Sequence, residues 1–323
     1  MASPISFADV RDARDRLAPF IGPTPLRHYP TLDLLIPGTT ILVKHENVQP
    51  TGSFKVRNGL ATITSLDEAQ RHAGVVGATT GNHGLGLAYA GRQLGVPVTI
   101  CVPRGNNPEK NAAHAAWGAT VIEEGADYDD AVAVAQALVE TQGLTLAHST
   151  NNRNVLAGAA TMTLEIMEQA AKLDTLLVAV GGGSQAVGAI TVARELHPGL
   201  RIIGVQAAGA AATHDGWHAG EPRRIERAAT FAEGVATRAT YELTFPTLLE
   251  GLSDFITVTD SEIADAVRLI LSATHHLVEG AGAMGLAAAR QLGGRLDGQR
   301  VGVIFCGANM ESAVLRRILN REL

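Results

Sequence analysis

The sequence predicts an α/β protein built around parallel sheets. Short apolar runs alternate with longer segments of helical character along most of the 323 residues, which is typical of consecutive strand–helix–strand units. Glycine is frequent, with 35 residues, and aromatic residues make up only 4% of the chain, as expected where many strands turn tightly into helices. A hydrophobic content of 46% is enough for one large core or for two lobes.

The composition argues against several classes of partner and setting. Acidic and basic residues are interspersed and sum to a net charge of −6, so we expect no nucleic-acid partner and no membrane partner. Residues 1–13 lack the apolar core of a signal peptide, and no apolar run is long enough to span a bilayer. The two cysteines, Cys101 and Cys306, lie far apart and in no CxxC pair, which favours a reducing, cytoplasmic setting over a disulfide framework.

The first half of the chain alternates between the two kinds of element. Residues 7–17 form an amphipathic segment that Ser6 would cap, and another helix begins at Lys55. From residue 74 onward each short apolar strand is followed by a helix, as in βαβ units. The predicted strands cover 41–44, 74–79, 98–102, 119–122 and 144–148. Three predicted helices separate the later strands: the first ends at Leu94, and the other two cover 108–117 and 127–141.

The second half repeats this organisation. A long helix over 154–171 precedes the apolar run 175–180, which is typical of a strand buried on both faces. Residues 207–240 have mixed polar and glycine content and predict irregular segments, and Asp260 would cap the helix after strand 255–258. The other predicted elements are a helix that follows the turn 181–184 and ends at Leu196, strands over 201–205 and 301–305, and a helix opened by 279–282.

One lysine stands in an unusual place. Lys55 follows the short turn 51–54 and opens a helix, where the helix dipole favours negative charge. A lysine of this kind is ordinarily a solvated surface residue, which is the simple interpretation. The specific alternative is a desolvated lysine near a phosphate site, which is neutral often enough to attack an aldehyde as a Schiff-base residue.

Gly181, Gly182, Gly183 and Ser184 connect a buried strand to a helix. Consecutive amides without Cβ atoms can cradle a phosphate, and the dipole of the following helix favours the anion. The same glycines would also allow a strand and a helix to pack tightly, so the turn alone leaves both interpretations open. It is neither a P-loop nor a GxGxxG dinucleotide motif.

A second polar turn, Thr79-Thr80-Gly81-Asn82-His83, also leads from a strand into a helix. Its amides are suited to a carboxylate, and the Asn82 side chain can donate to a phenolic oxygen. The alternative is an ordinary helix capped by Thr80 or Asn82, and His83 on its own is more often structural.

Two further residues each have two interpretations. Cys306, at a strand end before 307–309, is either a small buried apolar residue or a neutral hydrogen-bond partner for a pyridine nitrogen. Glu279 either caps the helix that follows it or stands near a cofactor ring.

In this order and spacing, the motifs resemble those of the fold-type II pyridoxal-phosphate enzymes, and specifically the serine/threonine dehydratase and serine racemase group. The resemblance covers about residues 20–315. It rests on Gly52-Ser53-Phe54-Lys55-Val56-Arg57, Thr80-Gly81-Asn82-His83-Gly84, Val180-Gly181-Gly182-Gly183, Val278-Glu279-Gly280-Ala281-Gly282 and Cys306-Gly307-Ala308-Asn309. The implied fold is tryptophan-synthase-β-like, with two lobes that each hold a mostly parallel twisted sheet flanked by helices.

The resemblance also implies a division of the chain. Residues 1–45 and 150–323 would form a large domain that binds pyridoxal 5'-phosphate, and residues 74–149 would form a small domain. Residues 46–73 would carry the Schiff-base lysine at the junction. Enzymes of this group are usually dimeric or tetrameric, so we expect a homodimer or a homotetramer.

Each motif residue receives a role from the resemblance. Lys55 would hold the cofactor and then act as the base at the substrate Cα, and Phe54 would pack on the cofactor ring. Asn82 would bond the phenolic oxygen, Cys306 would face the pyridine nitrogen, and Glu279 would lie near the ring. The phosphate would be held by Gly181, Gly182, Gly183 and Ser184. The substrate would be bound by Ser53, Thr79, Thr80, Gly81, Asn82 and His83.

Three positions depart from the pattern of the group. Ser184 replaces a glycine of the phosphate loop. This replacement should be tolerated, because the serine hydroxyl can also donate a hydrogen bond. Thr80 stands where dehydratases often have alanine and racemases have a serine that protonates Cα, so a catalytic role of Thr80 in racemisation stays open. Gln206 replaces an acidic residue near which some relatives bind a divalent cation, so we assign no metal ligands and leave the cation undecided.

The implied reaction is the β-elimination of a small amino-acid substrate, a β-hydroxy-α-amino acid such as threonine or serine, to a 2-oxo acid and ammonia. Phenylserine, 3-hydroxyaspartate and the amino acids of ectoine breakdown are bulkier or more acidic alternatives. An amino-acid racemase is the alternative activity on the same scaffold. β-Replacement and a non-catalytic pyridoxal-phosphate carrier are the remaining hypotheses.

Overall fold

Two sheets, of six and four strands, organise the chain in the computed structural model, which describes residues 3–323. The strands are β1 Leu26–His28, β2 Thr40–His45, β3 Val75–Ala78, β4 Val98–Val102, β5 Thr120–Glu123, β6 Thr145–Leu146, β7 Thr175–Ala179, β8 Arg201–Ala207, β9 Asp254–Val258 and β10 Arg300–Phe305. The helices are α1 Phe7–Leu17, α2 Pro30–Asp33, α3 Lys55–Thr64, α4 Glu68–Ala73, α5 Asn82–Leu94, α6 Pro108–Ala116, α7 Tyr128–Gln142, α8 Arg153–Gln169, α9 Ser184–Leu196, α10 Ala212–Ala219, α11 Phe245–Gly251, α12 Asp260–Thr274, α13 Gly280–Leu292 and α14 Ser312–Leu319. Short 3-10 segments cover Glu46–Val48, Ala208–Ala210, Glu233–Val235 and Gly293–Leu296.

The six-stranded sheet has the order β1-β2-β10-β7-β8-β9, and all neighbours are parallel except β1 and β2. Every residue of β7 is buried, as its continuous apolar sequence predicts. Helices α9 and α13 pack on the central strands of this sheet. We call this sheet and its helices the large lobe.

The four-stranded sheet has the order β5-β4-β3-β6 and is parallel throughout. Helices α5 and α7 pack against it, and we call this unit the small lobe. The predicted α/β fold with two lobes, each with a mostly parallel sheet flanked by helices, is confirmed.

Helix α3 lies between the lobes and packs on α5 of the small lobe and on α8. All of its residues from Val56 to Ile63 are buried. A helix that is buried all round has no solvent face, so its position is determined by its neighbours.

The parallel strands place the motif residues at one edge of each sheet. In the large lobe β2, β10 and β7 are neighbours, and their carboxyl ends lead to Lys55, Cys306 and Gly181. In the small lobe β3 leads to the turn 79–83. Because ligands of open parallel sheets bind beyond the carboxyl ends of the strands, this arrangement predicts one shared site.

One local prediction is wrong. Asp260 does not cap α12, because Thr259 Oγ1 accepts from Glu262 N at 3.2 Å and completes a capping box. The Asp260 carboxylate instead accepts hydrogen bonds from Thr230 Oγ1 at 2.5 Å and Phe231 N at 3.1 Å.

Two other elements differ in extent from their predictions. Of the strand predicted over 144–148, only β6 forms, and the His148 ring beyond it accepts hydrogen bonds from the amides of Thr150 and Asn151. Within 207–240, predicted as irregular, the chain also forms the short helix α10.

Candidate active site

A cavity of about 700 Å³ lies between the two lobes, at the carboxyl ends of β3, β7 and β10. It is lined by residues from both lobes that the sequence singles out. These are Phe54, Lys55, Thr79, Thr80, Gly81, Asn82, His83, Gly181, Gly182, Gly183, Ser184, Glu279 and Cys306. Ser53 does not line it, but its fully buried hydroxyl lies next to these residues in sequence and has no hydrogen-bond partner within residues 3–323.

The turn before Lys55 is tied to the segment after β10. Phe54 N donates to Cys306 O at 3.0 Å, and Ala308 N donates to Gly52 O at 2.8 Å. The Lys55 amine lies 4.8 Å from the centre of the Phe54 ring. Removal from bulk water lowers the pKa of Lys55 to about 8, although Cys306 and Glu279 oppose the shift. Lys55 therefore has the position and the pKa of an amine that reacts with an aldehyde.

The turn from Gly181 to Ser184 forms a cradle of free amides. Within the described residues, none of its four N–H groups donates to a protein acceptor. Gly183 has φ +94°, a left-handed conformation that suits glycine, and Thr244 Oγ1 holds the turn by donating to Gly182 O at 2.7 Å. A Cβ atom on Gly182 would overlap the Thr150 side chain. The turn is thus shaped to bring bare amides to a phosphate at the start of α9.

A second set of free amides begins α5. Gly81 N donates to Thr79 Oγ1 at 3.3 Å, whereas the amides of Thr80, Asn82 and His83 have no protein acceptor among residues 3–323. The residue before α5 is Gly81, with no side-chain cap, so the alternative in which Thr80 or Asn82 caps this helix is wrong. Free amides at a helix start suit a carboxylate.

Asn82 joins the two lobes across the cavity. Its Nδ2 donates to Glu279 Oε1 at 2.8 Å and to Glu279 Oε2 at 3.0 Å, and its Oδ1 accepts from Asn309 Nδ2 at 2.7 Å. Glu279 therefore does not cap α13 with its side chain. Burial raises the pKa of Glu279 to about 7, even though the Asn82 hydrogen bonds act in the opposite direction.

Cys306 and His83, by contrast, stay neutral at neutral pH. Burial raises the pKa of the Cys306 thiol well above its usual range, and Glu279 adds to the shift. His83 Nε2 lies 2.9 Å from Ala147 O, so it is the nitrogen that carries the proton, and Nδ1 has no protein partner among the described residues. Burial lowers the pKa of His83 to about 3, so its ring can accept but has no further N–H to donate to a carboxylate.

Several cavity residues escape sequence reasoning. Ser149 and Thr150 follow the short strand β6, and Tyr128 begins α7. Arg224 comes from the irregular segment 207–240, and Tyr241 directly follows that segment. The position of Ser149 and Thr150 after a small-lobe strand is a signal that would have found them, by analogy with the turn 79–83. The segment 207–240 offers no periodic signal.

Ion pairs cross the mouth of the cavity. Lys110 of α6 binds Glu233 of the large lobe and lies 3.3 Å from Glu311. Arg238 lies 2.5 Å from Asp129, at the start of α7. The small and large lobes are therefore connected by polar contacts on the rim as well as by Asn82 within the cavity.

The described part of the chain shows neither a membrane-crossing helix nor a metal-binding cluster. Between residues 3 and 323, the helices are all too short or too polar to traverse a bilayer. The same residues contain no group of three or more His, Cys, Asp or Glu side chains placed to hold a metal ion. The Gln206 side chain accepts from His214 N at 2.9 Å.

Comparison with known proteins identifies the family. The model of the pyridoxal-phosphate dependent enzyme family matches residues 17–307. The L-threo-3-hydroxyaspartate ammonia-lyase of Pseudomonas sp is 37% identical over 95% of this chain and 96% of its own length. The L-threonine ammonia-lyase of Thermotoga maritima is 34% identical over 99% of this chain and 79% of its own. The solved structure of maize serine racemase superimposes with a TM-score of 0.92 at 28% identity, covering 99% of this chain and 98% of that one.

The cavity has the groups that pyridoxal 5'-phosphate requires. Lys55 supplies an amine for its aldehyde, and the amides of Gly181–Ser184 supply donors for its phosphate. The free amides of the turn 79–83 are further hydrogen-bond donors at the cavity. The chain belongs to the fold-type II pyridoxal-phosphate-dependent enzymes, in the group of serine/threonine dehydratases and serine racemases.

Proposed function

We propose that this enzyme is an ammonia-lyase that eliminates water from a β-hydroxy-α-amino acid and releases a 2-oxo acid and ammonia. The observation that carries the proposal is that the Lys55 amine, with its pKa lowered to about 8, shares one cavity with the free amides of Gly181–Ser184 and those that begin α5. The names of the two ammonia-lyase relatives support the same reaction class. Overall, the substrate loses water from Cα and Cβ, and water re-enters when the amino group leaves as ammonia.

The chemistry is divided between cofactor and protein. Bound pyridoxal 5'-phosphate supplies the electron sink that makes the Cα proton acidic. Lys55, in its neutral form, takes that proton. Since enzymes work best when the pKa of a base is near the operating pH, an amine with a pKa of about 8 suits this task better than an ordinary lysine.

Other residues are proposed to orient the substrate and the ring. The amides of Thr80, Asn82 and His83, with the Ser53 hydroxyl, would bind the substrate carboxylate. Phe54 would pack on the ring, and Gly181–Ser184 would hold the phosphate. The Cys306 thiol is proposed to face the pyridine nitrogen as a neutral partner, which leaves that nitrogen without the strong proton donor that a carboxylic acid would supply. Asn82 and Glu279 would lie at the phenolic side of the ring.

Charged residues at the cavity mouth could select among substrate side chains. Arg224, Glu226 and Arg227 line the cavity, are exposed, and form no ion pair within residues 3–323. A charged side chain on the substrate would therefore find an unpaired partner. For this reason 3-hydroxyaspartate and diamino acids belong beside threonine and serine in any test of substrates.

A racemase is the second candidate, and Thr80 favours it. The Thr80 hydroxyl belongs to a cavity-lining residue and makes no hydrogen bond within the described chain, so it is free to carry a proton to or from Cα. The structural similarity to maize serine racemase supports the same candidate. Under this hypothesis Thr80→Ala would abolish inversion of the amino acid and spare elimination.

The organisation of the protein around this site is also proposed. Residues 74–149 would form the small domain, and 1–45 with 150–323 the large domain, with 46–73 at the junction. We further propose a cytoplasmic homodimer or homotetramer, which light scattering coupled to size-exclusion chromatography would test.

The first experiment measures 2-oxo acid release from L-serine, D-serine, L-threonine, 3-hydroxyaspartate, 2,4-diamino-3-hydroxybutyrate and phenylserine, with chiral analysis of the unreacted amino acid. We expect oxo acid from one strongly preferred substrate. Inverted amino acid with little oxo acid would instead establish a racemase. Borohydride should fix the cofactor on Lys55, and Lys55→Ala should remove turnover without unfolding the protein. A label on another lysine would refute the site.

A further inference from the structure

Four charged side chains are buried together beside the helix that begins with Lys55. Lys44 comes from β2, Glu46 from the 3-10 segment after it, Arg57 from the first turn of α3, and Glu165 from α8. None is more than 6% exposed. Two positive and two negative charges make the cluster neutral as a whole.

Arg57 is the centre of this cluster and uses every donor it has. Its Nε and Nη2 each donate to Glu46 at 2.8 Å. Its Nη1 and Nη2 donate to Glu165 at 2.6 and 2.8 Å, and Nη1 also donates to Thr161 Oγ1 at 3.1 Å. An arginine has five N–H groups in a rigid fork, so this pattern leaves none free and allows one orientation.

Lys44 also has an acceptor for every proton of its amine. Its three amine protons match Thr24 O at 2.7 Å, Glu165 Oε2 at 2.6 Å and Gln169 Oε1 at 3.1 Å. Burial acts to raise the pKa of Glu46, but Arg57 outweighs it and holds the pKa below its ordinary value, so the carboxylate stays charged.

Two glycines of the neighbouring helices pack closely against the backbone of the same turn of α3. A Cβ atom on Gly86 of α5 would overlap the carbonyl of Lys55. A Cβ atom on Gly158 of α8 would lie 2.6 Å from the carbonyl oxygen of Arg57. The backbone of the first turn is therefore in direct contact with both neighbouring helices, at Lys55 on one side and at Arg57 on the other.

Stability alone does not account for this arrangement. A buried ion network is often no more stabilising than apolar side chains of the same volume, because the charges lose their hydration. What a fully satisfied network does provide is a single geometry. Here that geometry is imposed two residues after Lys55, on the helix whose first residue Lys55 is.

We propose that Arg57 is a positioning residue: the buried network and the two glycine contacts hold the first turn of α3 so that the Lys55 amine stands at the bottom of the cavity. The inference rests on the role proposed for Lys55. It adds that residues outside the cavity determine how well the lysine works, since Arg57, Glu46 and Glu165 do not line the cavity.

Two glycine variants test the idea with a matched control. Gly158→Ala introduces a methyl group 2.6 Å from the carbonyl oxygen of Arg57 on α3. Gly188→Ala introduces one 2.6 Å from Ala160 Cα, and its three nearest atoms all belong to Ala160 of α8 rather than to α3. We expect both to lower the melting temperature. Only Gly158→Ala should lower kcat per cofactor-loaded site, by at least tenfold, with KM changed less than threefold. It should also speed hydrogen exchange in the peptide 53–64.

Arg57→Lys is the second variant and keeps the charge. A lysine has three donors and no fork, so it cannot bind both carboxylates as Arg57 does. The loaded sites, counted by borohydride fixation, should again show a kcat at least tenfold lower, and the pH at which the cofactor attaches to Lys55 should shift. Unchanged kcat per loaded site in both variants, with only the melting temperature lowered, would overturn the positioning role. Turnover by Lys55→Ala would overturn the proposed function itself.

Discussion

At the residue scale, the cavity favours neutral forms of its ionisable side chains. Loss of water lowers the pKa of Lys55 to about 8 and raises that of Glu279 to about 7, and it keeps the Cys306 thiol protonated. His83, with its pKa lowered to about 3, is neutral throughout the working range. Lys55 and Glu279 are thus the two groups whose charge changes near neutral pH.

The pKa of Lys55 predicts how the cofactor attaches. Only the neutral amine attacks an aldehyde, so attachment to cofactor-free protein should accelerate as pH rises and level off above about 8. At pH 7 about a tenth of the amine is neutral, against less than a thousandth for an ordinary lysine. Stopped-flow absorbance between pH 6 and 10 would measure this. A rate still rising steeply at pH 10 would contradict the lowered pKa.

Glu279 predicts a pH-dependent effect on stability. A carboxyl whose pKa is raised from 4.5 in the unfolded chain to about 7 in the fold stabilises the protein while protonated, and this stability is lost as pH rises from about 4.5 to 7. The loss amounts to about 3 kcal/mol. Glu279→Gln should therefore raise the melting temperature of the cofactor-free protein at pH 8 relative to wild type, with a smaller gain at pH 5. Calorimetry at both values tests this, and an equal gain at both would contradict it.

Most of the residues that meet at the cavity could be singled out from the sequence, whereas their protonation states could not. Lys55, Asn82 and Cys306 stand in short motifs with recognisable chemistry. The proton on His83 Nε2 depends on the carbonyl of Ala147, and the raised pKa of Glu279 depends on burial by both lobes. Ala147 is far from His83 in sequence, and the residues that bury Glu279 come from both lobes. No local sequence pattern could therefore show either protonation state.

At the element scale, the turns that follow the parallel strands determine where ligands can bind. The strands β2, β7 and β10 are neighbours in the sheet, and the turns after them bring Lys55, the free amides of Gly181–Ser184 and Cys306 to one edge. Apolar periodicity predicts these strands well because they are buried on both faces. It misses α10, which has eight residues and includes Gly216, and it overextends β6 because apolar content does not show where pairing stops.

A single methyl group added to the turn 181–184 should strongly weaken the binding of pyridoxal 5'-phosphate. Gly182→Ala would drive a Cβ atom into the Thr150 side chain and displace the amides of the cradle. The affinity for pyridoxal 5'-phosphate should fall at least tenfold, with a smaller effect on the melting temperature of the cofactor-free protein. Equilibrium dialysis would measure the affinity. Gly294→Ala, at a position with open space, is the control and should leave it unchanged.

At the scale of the whole molecule, polar contacts join the lobes around the cavity. Lys110 meets Glu233 and Glu311 on one part of the rim, and Arg238 meets Asp129 on another. Lys110 and Glu233 are 123 residues apart, so the pairing could not be predicted from the sequence. The presence of two lobes could be predicted from the sequence, because the strand–helix alternation and the family motifs both extend over most of the chain.

These rim contacts predict a change in substrate affinity. Lys110→Met removes the bridge to both glutamates and should raise KM several-fold while kcat changes less, because the lobes would close less firmly over the substrate. Lys172→Met is the control, since that lysine is exposed and pairs with Asp174 away from the cavity. Steady-state kinetics of both variants would decide. An unchanged KM in Lys110→Met would mean that the bridge does not contribute to closure.

The burial of both cysteines has a practical consequence for measuring the distance between the lobes in solution. Cys101 and Cys306 are the two cysteines of the chain, both are at most 3% exposed, and burial raises the pKa of each thiol. Since thiolates are the reactive species, maleimide dyes should not label the native protein. Cysteines introduced at the exposed Glu140 of α7 in the small lobe and at the exposed Glu226 of the large lobe would be labelled selectively. The natural sequence is therefore ready for fluorescence energy transfer between the lobes without prior removal of its own thiols.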